Sequence, residues 1–141
     1  MSFEKIMSIG GTGLNAQLVR MNATASNLAN AGVVSGSEET AFRAQRPVFA
    51  TLLAGYTANE NLDVQGGVRV DRIVNDTKPI EKIYEPGNVL ADEDGYVFSS
   101  NVKEIEELID MLDASRAYQN NVEVINTAKD LLSKTLDLIK I

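Results

Sequence analysis

The segment NVKEIEELIDMLDASRAYQNNVEVINTAKDLLSKTLDLIKI, Asn101 to Ile141, decides the fold. Its 41 residues contain no glycine and no proline. Apolar positions recur at Leu108, Met111, Ser115, Tyr118, Val122, Ile125, Lys129, Leu132, Leu136 and Ile139, with Ser115 and Lys129 as two polar flaws. The steps alternate three and four, the stripe of a helix packed lengthwise on another helix. At about 1.5 Å per residue such a helix is roughly 60 Å long. A globule of this chain length has a radius of gyration of only about 14 Å. A helix of that length cannot be wrapped by its own domain, so the pattern points to an assembly component before it points to an enzyme.

Asn101 with Glu104 predicts a capping box, with Asn in place of Ser. Glu104, Glu106, Glu107 and Asp110 crowd the positive end of the helix dipole, and Lys134 and Lys140 the negative end. A second stripe, Ala117, Val124, Leu131 and Leu138, runs alongside, and Ile105, Ile109 and Leu112 widen the apolar surface near the start. This surface predicts burial against several helices.

The N-terminal segment, Phe3 to Ala31, is also helical in pattern. Met7, Gly11, Leu14, Leu18, Met21, Ala25 and Leu28 step alternately by four and three. Gly10, Gly11 and Gly13 each cost about 1 kcal/mol relative to alanine, which predicts a hinge there and a firm helix from Thr12. Between Met7 and Gly36 the only charged residue is Arg20. Small and amide-bearing residues all round suit a helix contacted on several sides, because burying charge is costly. Leu14, Leu18, Met21, Leu28, Leu108, Met111, Val122, Ile125, Leu132 and Leu136 are therefore the expected helix-pair interface.

Between the helices the composition changes. From Val33 to Ser100 there are eleven acidic and six basic residues and all three prolines, Pro47, Pro79 and Pro86. Val48–Leu53, Val68–Val74 and Ile80–Tyr84 are candidate strands, the second with period-two alternation. Asn75-Asp76-Thr77 reads as a hairpin loop, and Asp92-Glu93-Asp94-Gly95 as a turn leading into Tyr96-Val97-Phe98. Gly32 to Thr40 and Gly55 to Asn61 read as loops. The expected class is α+β, with a discontinuous helical coiled-coil domain (1–31 and 101–141) and a small β-rich domain (32–100) inserted in it.

Composition narrows the chemistry. A net charge of −7 and only loosely paired basic residues argue against a nucleic-acid surface. No cysteine or histidine is present, which removes disulfides, thiolate nucleophiles, the commonest general base and the commonest transition-metal ligand. Asp92, Asp94 and Gly95 fail the calcium-loop spacing, since glycine stands fourth and Lys103 twelfth. Gly10-Gly11-Thr12-Gly13 lacks the preceding strand and following lysine of a phosphate loop. Glu106 with Asp110, or Asp110 with Asp113, shares a helix face, and with no basic pocket nearby it reads as a solvated face. Catalytic residues, cofactors and metals are therefore not expected. Met1 to Gly13 lacks the apolar core of a secretory signal, and no stretch reaches the roughly 20 apolar residues of a membrane span. Cytoplasmic residence follows unless an uncleaved export route exists.

Two separated runs resemble a known family. Ala23-Thr24-Ala25-Ser26-Asn27-Leu28-Ala29-Asn30-Ala31 resembles the N-terminal signature of bacterial flagellar rod, hook and related axial proteins. Asp113-Ala114-Ser115-Arg116-Ala117-Tyr118-Gln119-Asn120-Asn121-Val122-Glu123, followed by Asn126-Thr127-Ala128-Lys129, resembles the partner signature. Phe42 to Phe49, Tyr84-Glu85-Pro86-Gly87-Asn88, Leu90-Ala91-Asp92 and Gly95-Tyr96-Val97 resemble proximal rod proteins in particular. Gly32-Val33-Val34 departs from the Ser/Asn-Thr pair common after the first signature.

The resemblance implies paired terminal helices in the inner layer of a tube, with a β-rich part facing outward. It implies uncleaved export through the flagellar type III apparatus and assembly in the periplasmic part of the basal body. Implied partners are other copies of the chain, other rod proteins, the membrane-ring junction protein and the export apparatus. Asn27, Asn30, Ser115, Arg116, Gln119, Asn120, Asn121 and Lys129 are the expected subunit–subunit contacts. A competing expectation is a soluble acidic adaptor or export chaperone. The ends of a dilute monomer are expected to stay unordered for want of covering partners.

Overall fold

A computed structural model describes residues 3–52 and 66–139. Helix α1 spans Phe3–Ala29 and helix α2 spans Glu104–Ile139. Between them lie β1 (Val34–Ser35), β2 (Gln45–Thr51), β3 (Val68–Asn75), β4 (Lys82–Tyr84) and β5 (Tyr96–Ser99). Strands β1, β5 and β4 form an antiparallel sheet in that order, and β2 and β3 form a separate two-stranded sheet. The expected α+β architecture, two long helices with a small antiparallel sheet between, is the one observed. The expected loop Gly55 to Asn61 lies outside the described residues, as does Leu53 of the first candidate strand.

Several local expectations are corrected. Asn75–Thr77 is not a hairpin loop, because β3 and β4 belong to different sheets. Val34–Ser35, expected in a loop, pairs with Ser99 and Phe98. Asn101 does not cap α2. Its Oδ1 accepts the Ala44 N–H at 2.7 Å, and its Nδ2 donates to the carbonyls of Asp76 and Lys78. The helix instead starts after Lys103, whose carbonyl accepts the Glu107 N–H. Asn101 acts as a clip joining three chain segments, which outweighs the roughly 1 kcal/mol of a cap.

The chain divides into two compact units. Unit 1 comprises residues 1–19, 48–72 and 113–141, and unit 2 comprises residues 20–47 and 73–112. In unit 1 the start of α1 runs antiparallel to the second part of α2. A side chain at Gly10 would place its Cβ 2.9 Å from Ile125 Cγ1, and one at Gly13 would sit 2.9 Å from Asn121 Nδ2. The predicted hinge is absent, since α1 is continuous from Phe3. Close packing against α2 outweighs the poor helix propensity of these glycines. Thr12 Oγ1 donates to the Ile9 carbonyl and accepts the Val68 N–H, tying the start of β3 to α1.

Gly11, by contrast, has open space around it. Gly10→Val is therefore expected to overpack the helix pair by about 1–3 kcal/mol, whereas Gly11→Ala gains about 1 kcal/mol of helix propensity. Urea unfolding of the purified variants checks this ordering. A loss for Gly10→Val with none for Gly11→Ala is the expected result.

Unit 2 holds a small core of Ala31, Ala44 and Val102 with Phe42 packed on it. Val97 and Phe98 of β5 are buried as well. Ser100 Oγ donates to the Ala31 carbonyl, fixing the chain beyond α1 beside the approach to α2.

Candidate functional site

The buried positions of α1 are Gly10, Ala16, Ala23, Thr24 and Asn27. Those of α2 are Glu107, Ala114 and Ala128. All are small or polar. None of the buried α1 positions belongs to the apolar stripe read from the sequence. In α2 Met111, Ser115, Tyr118, Ile125 and Leu132 of the stripe are half-buried, Ile125 against Gly10.

The seam is thus built largely of small and polar residues, and much of the large apolar surface is left outside it. Leu18 is 45% exposed, Leu108 47% and Leu136 51%, while Leu14, Met21, Leu28 and Val122 are half-buried. Helix periodicity locates the apolar surface but not which part of it faces the same chain. Small residues let two helices approach closely, and that close approach selects the small-residue face.

Unit 2 carries an ionic network that the sequence reading missed. Glu107 is fully buried. Its Oε1 lies 2.6 Å from Arg46 Nη2, a charge contact outside hydrogen-bond alignment, and its Oε2 accepts from Asn27 Nδ2 at 3.0 Å. Arg46 also meets Asp110 Oδ2 at 3.1 Å and Asp76 Oδ2 at 3.6 Å. Arg20 Nη2 bonds Asp110 Oδ1 at 3.0 Å. The two arginines thus occupy both oxygens of Asp110, so its carboxylate does not lie on a merely solvated face. Arg20, the only charged residue between Met7 and Gly36, was the sequence signal that could have found this site.

Asn27 completes the network. Its Oδ1 accepts the Gln45 N–H at 2.7 Å and its Nδ2 donates to the Gln45 carbonyl at 3.0 Å. This pairing mimics a backbone partner and holds the first residue of β2 against α1. Asn27 is fully buried and so has no surface to offer a neighbouring subunit. Asn121 faces Gly13 within unit 1, and Asn30 donates to the Ser26 carbonyl one turn earlier. Ser115 is half-buried, while Arg116, Gln119, Asn120 and Lys129 are exposed.

Asn27→Ala removes three hydrogen bonds and strands buried groups on Gln45 and Glu107. It is expected to cost about 3 kcal/mol. Urea unfolding of the purified chain measures the loss, and a change below about 0.5 kcal/mol contradicts it.

At the surface of unit 2, Lys78 Nζ bonds Glu106 Oε2 at 3.0 Å. That bond holds the Glu106 carboxyl below its ordinary 4.5, with the charges of Lys78 and Lys103 adding to it. A depressed carboxyl contributes stability above its unfolded value and loses it as pH falls through the folded one. The pair is exposed to solvent, so its contribution is small.

The outer face of α2 differs in kind from its seam. Ile105 is 74% exposed, Ile109 55% and Leu112 59% in unit 2; Val124, Leu131 and Leu138 are 51%, 52% and 74% exposed in unit 1. Also in unit 1, Phe3 and Ile6 line an apolar groove of about 470 Å³ with Val124, Ala128 and Leu131. So much large apolar surface marks an interaction face. No described helix is long and apolar enough to cross a membrane.

Residues 7–36 match a family model described as flagella basal body rod protein. Residues 93–138 match one described as flagellar basal body rod FlgEFG protein C-terminal. The chain is 44% identical, over 98% of both chains, to the flagellar basal-body rod protein FlgC of Yersinia enterocolitica. The chain belongs to the FlgC family of flagellar basal-body rod proteins. FlgC of Salmonella typhimurium is 42% identical over 98% of both chains. FlgC of Aquifex aeolicus is 33% identical over 95% of both. The two matched segments contribute Asn27 and Glu107, so in this FlgC-family chain they meet through a buried side-chain hydrogen bond.

Proposed function

We propose that the chain is a structural subunit of the proximal flagellar rod, stacking with copies of itself and with other rod proteins into a torque-transmitting shaft. The single observation that carries this reading is the row of large apolar side chains on α2 left more than half exposed, in a member of a rod-protein family. Those side chains need neighbours, and long helices packed side by side resist bending and twisting. Heterologous contacts that repeat along a helical path extend the shaft instead of closing it.

In this reading residues 1–31 and 101–141 form the inner helical layer and residues 32–100 lie outward. Arg116, Gln119, Asn120 and Lys129, exposed on α2, are available for contacts between subunits. The membrane-ring junction protein and the export apparatus complete the set of partners. The chain leaves the cytoplasm by the flagellar export route without cleavage and assembles in the periplasm. We assign it no catalytic role: the Glu107 and Asp110 carboxylates serve ion pairs within the chain.

Fractionation separates this reading from a cytoplasmic adaptor or chaperone. A rod subunit co-purifies with detergent-extracted basal bodies. An adaptor remains in the soluble fraction, and recovery only there overturns the proposal.

A further inference from the structure

Unit 2 comprises residues 20–47 and 73–112, and a single late stretch, residues 96–110, ties its other parts together. Strand β5, residues 96–99, is the middle strand of its sheet. β1 pairs with it on one side and β4 on the other, so neither has a sheet partner without it. Just beyond β5, Ser100 donates its N–H to the Val33 carbonyl and its Oγ to the Ala31 carbonyl. Asn101 joins Ala44 to Asp76 and Lys78. Glu107 then meets Asn27 and Arg46, and Asp110 meets Arg20 and Arg46.

The apolar residues divide in the same way. Before β5, the buried apolar residues of unit 2 are alanines: Ala23, Ala31, Ala41 and Ala44. The larger ones, Val97, Phe98 and Val102, all lie in the late stretch. Burial stabilises in proportion to the apolar area removed from water, so alanines alone give little against the entropy of ordering the chain. What joins the earlier parts directly is mostly polar. Asn27 holds Gln45, the Asp76 N–H donates to the Ala44 carbonyl, and Arg43 and Arg46 reach Lys78 and Asp76. The sheet of β2 and β3 has only two strands, which is marginal by itself in water.

We propose that residues 96–110 are the closing strap of unit 2. Its earlier parts hold no stable arrangement until the strap is seated, and the unit then forms in one cooperative step. A chain that emerges N-terminus first, as every chain does from the ribosome, thus keeps unit 2 open until residue 110 is free. The strap concerns the chain's own folding and stands apart from the rod-subunit reading.

Hydrogen exchange of the full purified chain under native conditions tests this, with Asn101→Ala and Ser100→Ala as changes in the strap. Two amides are read that neither side chain touches: Gln45, bonded to Asn27, and Glu85, bonded to the Gly95 carbonyl. Gln45 lies in β2 and Glu85 follows β4, so the two report on different sheets. Asn101→Ala leaves the Ala44 N–H and the carbonyls of Asp76 and Lys78 without their partner. It is expected to lower the protection of both amides by one common factor of about tenfold or more. Ser100→Ala, which loses one side-chain bond, is expected to lower both by one smaller common factor. That second variant decides the matter should Asn101→Ala leave no folded unit to read. Protection lost at Ala44 while Gln45 and Glu85 keep theirs, or factors that differ between these two amides, would show parts that hold without the strap and overturn the proposal.

Discussion

Arg46→Ala is expected to destabilise the chain by about 3–5 kcal/mol, because it leaves the buried Glu107 carboxylate without its cation. One guanidinium serves Glu107, Asp110 and Asp76, drawing α2 and the segment after β3 toward the start of β2. Arg46→Lys is expected to recover only part of the loss. A lysine is a point charge and cannot reproduce the planar fork that faces three carboxylates. Replacing Arg46 and Glu107 together by leucine and methionine is expected to cost less than Arg46→Ala alone, since the stranded charge is what makes the single change severe. Urea unfolding of the three variants checks the order. If Arg46→Ala costs no more than an ordinary surface change, the network is decorative.

Leu112→Asp is expected to have the opposite profile. At 59% exposure its replacement should alter the stability of the free chain by no more than about 0.5 kcal/mol. In the proposed rod the same position is covered, and a neighbour would have to bury a carboxylate at a cost of several kcal/mol. The loss of leucine burial adds about 1.5–3 kcal/mol at each subunit contact. Cells carrying Leu112→Asp are therefore expected to be non-motile while the purified chain unfolds at a normal urea concentration. Normal swarming would show that this face meets no neighbour.

These two variants separate what the sequence displayed from what it concealed. The long C-terminal helix was legible because an uninterrupted three–four repeat leaves few other ways to bury those residues. The strands were legible where period-two alternation met turn residues, as at Val68–Val74 and at Asp92–Gly95. The buried face of α1 does not coincide with its apolar stripe. Leucines and methionines announce an apolar surface without naming who covers it, and here Gly10 and Gly13 face the partner helix. The ionic network was concealed for a different reason. Arg46, Asp76 and Glu107 are far apart in the chain, and only the path of β2 and the segment after β3 brings them together. Asn27 was singled out as a contact, yet its amide proves to be used within the chain by Gln45 and Glu107. Asn101 was likewise noticed but given the wrong partners, because a cap is a local rule and its actual bonds reach segments 23, 25 and 57 residues away.

The central claim is a division of labour along the helices: small and polar residues close the chain on itself, and large exposed residues bind its neighbours. An image of detergent-extracted basal bodies at side-chain resolution tests this most directly. The account predicts that Ile105, Ile109, Leu112, Leu131 and Leu138 are buried against other subunits, while Asn27 keeps its bonds to Gln45 and Glu107 of the same chain. Those apolar residues facing water, with Asn27 turned to a neighbouring subunit, would contradict it.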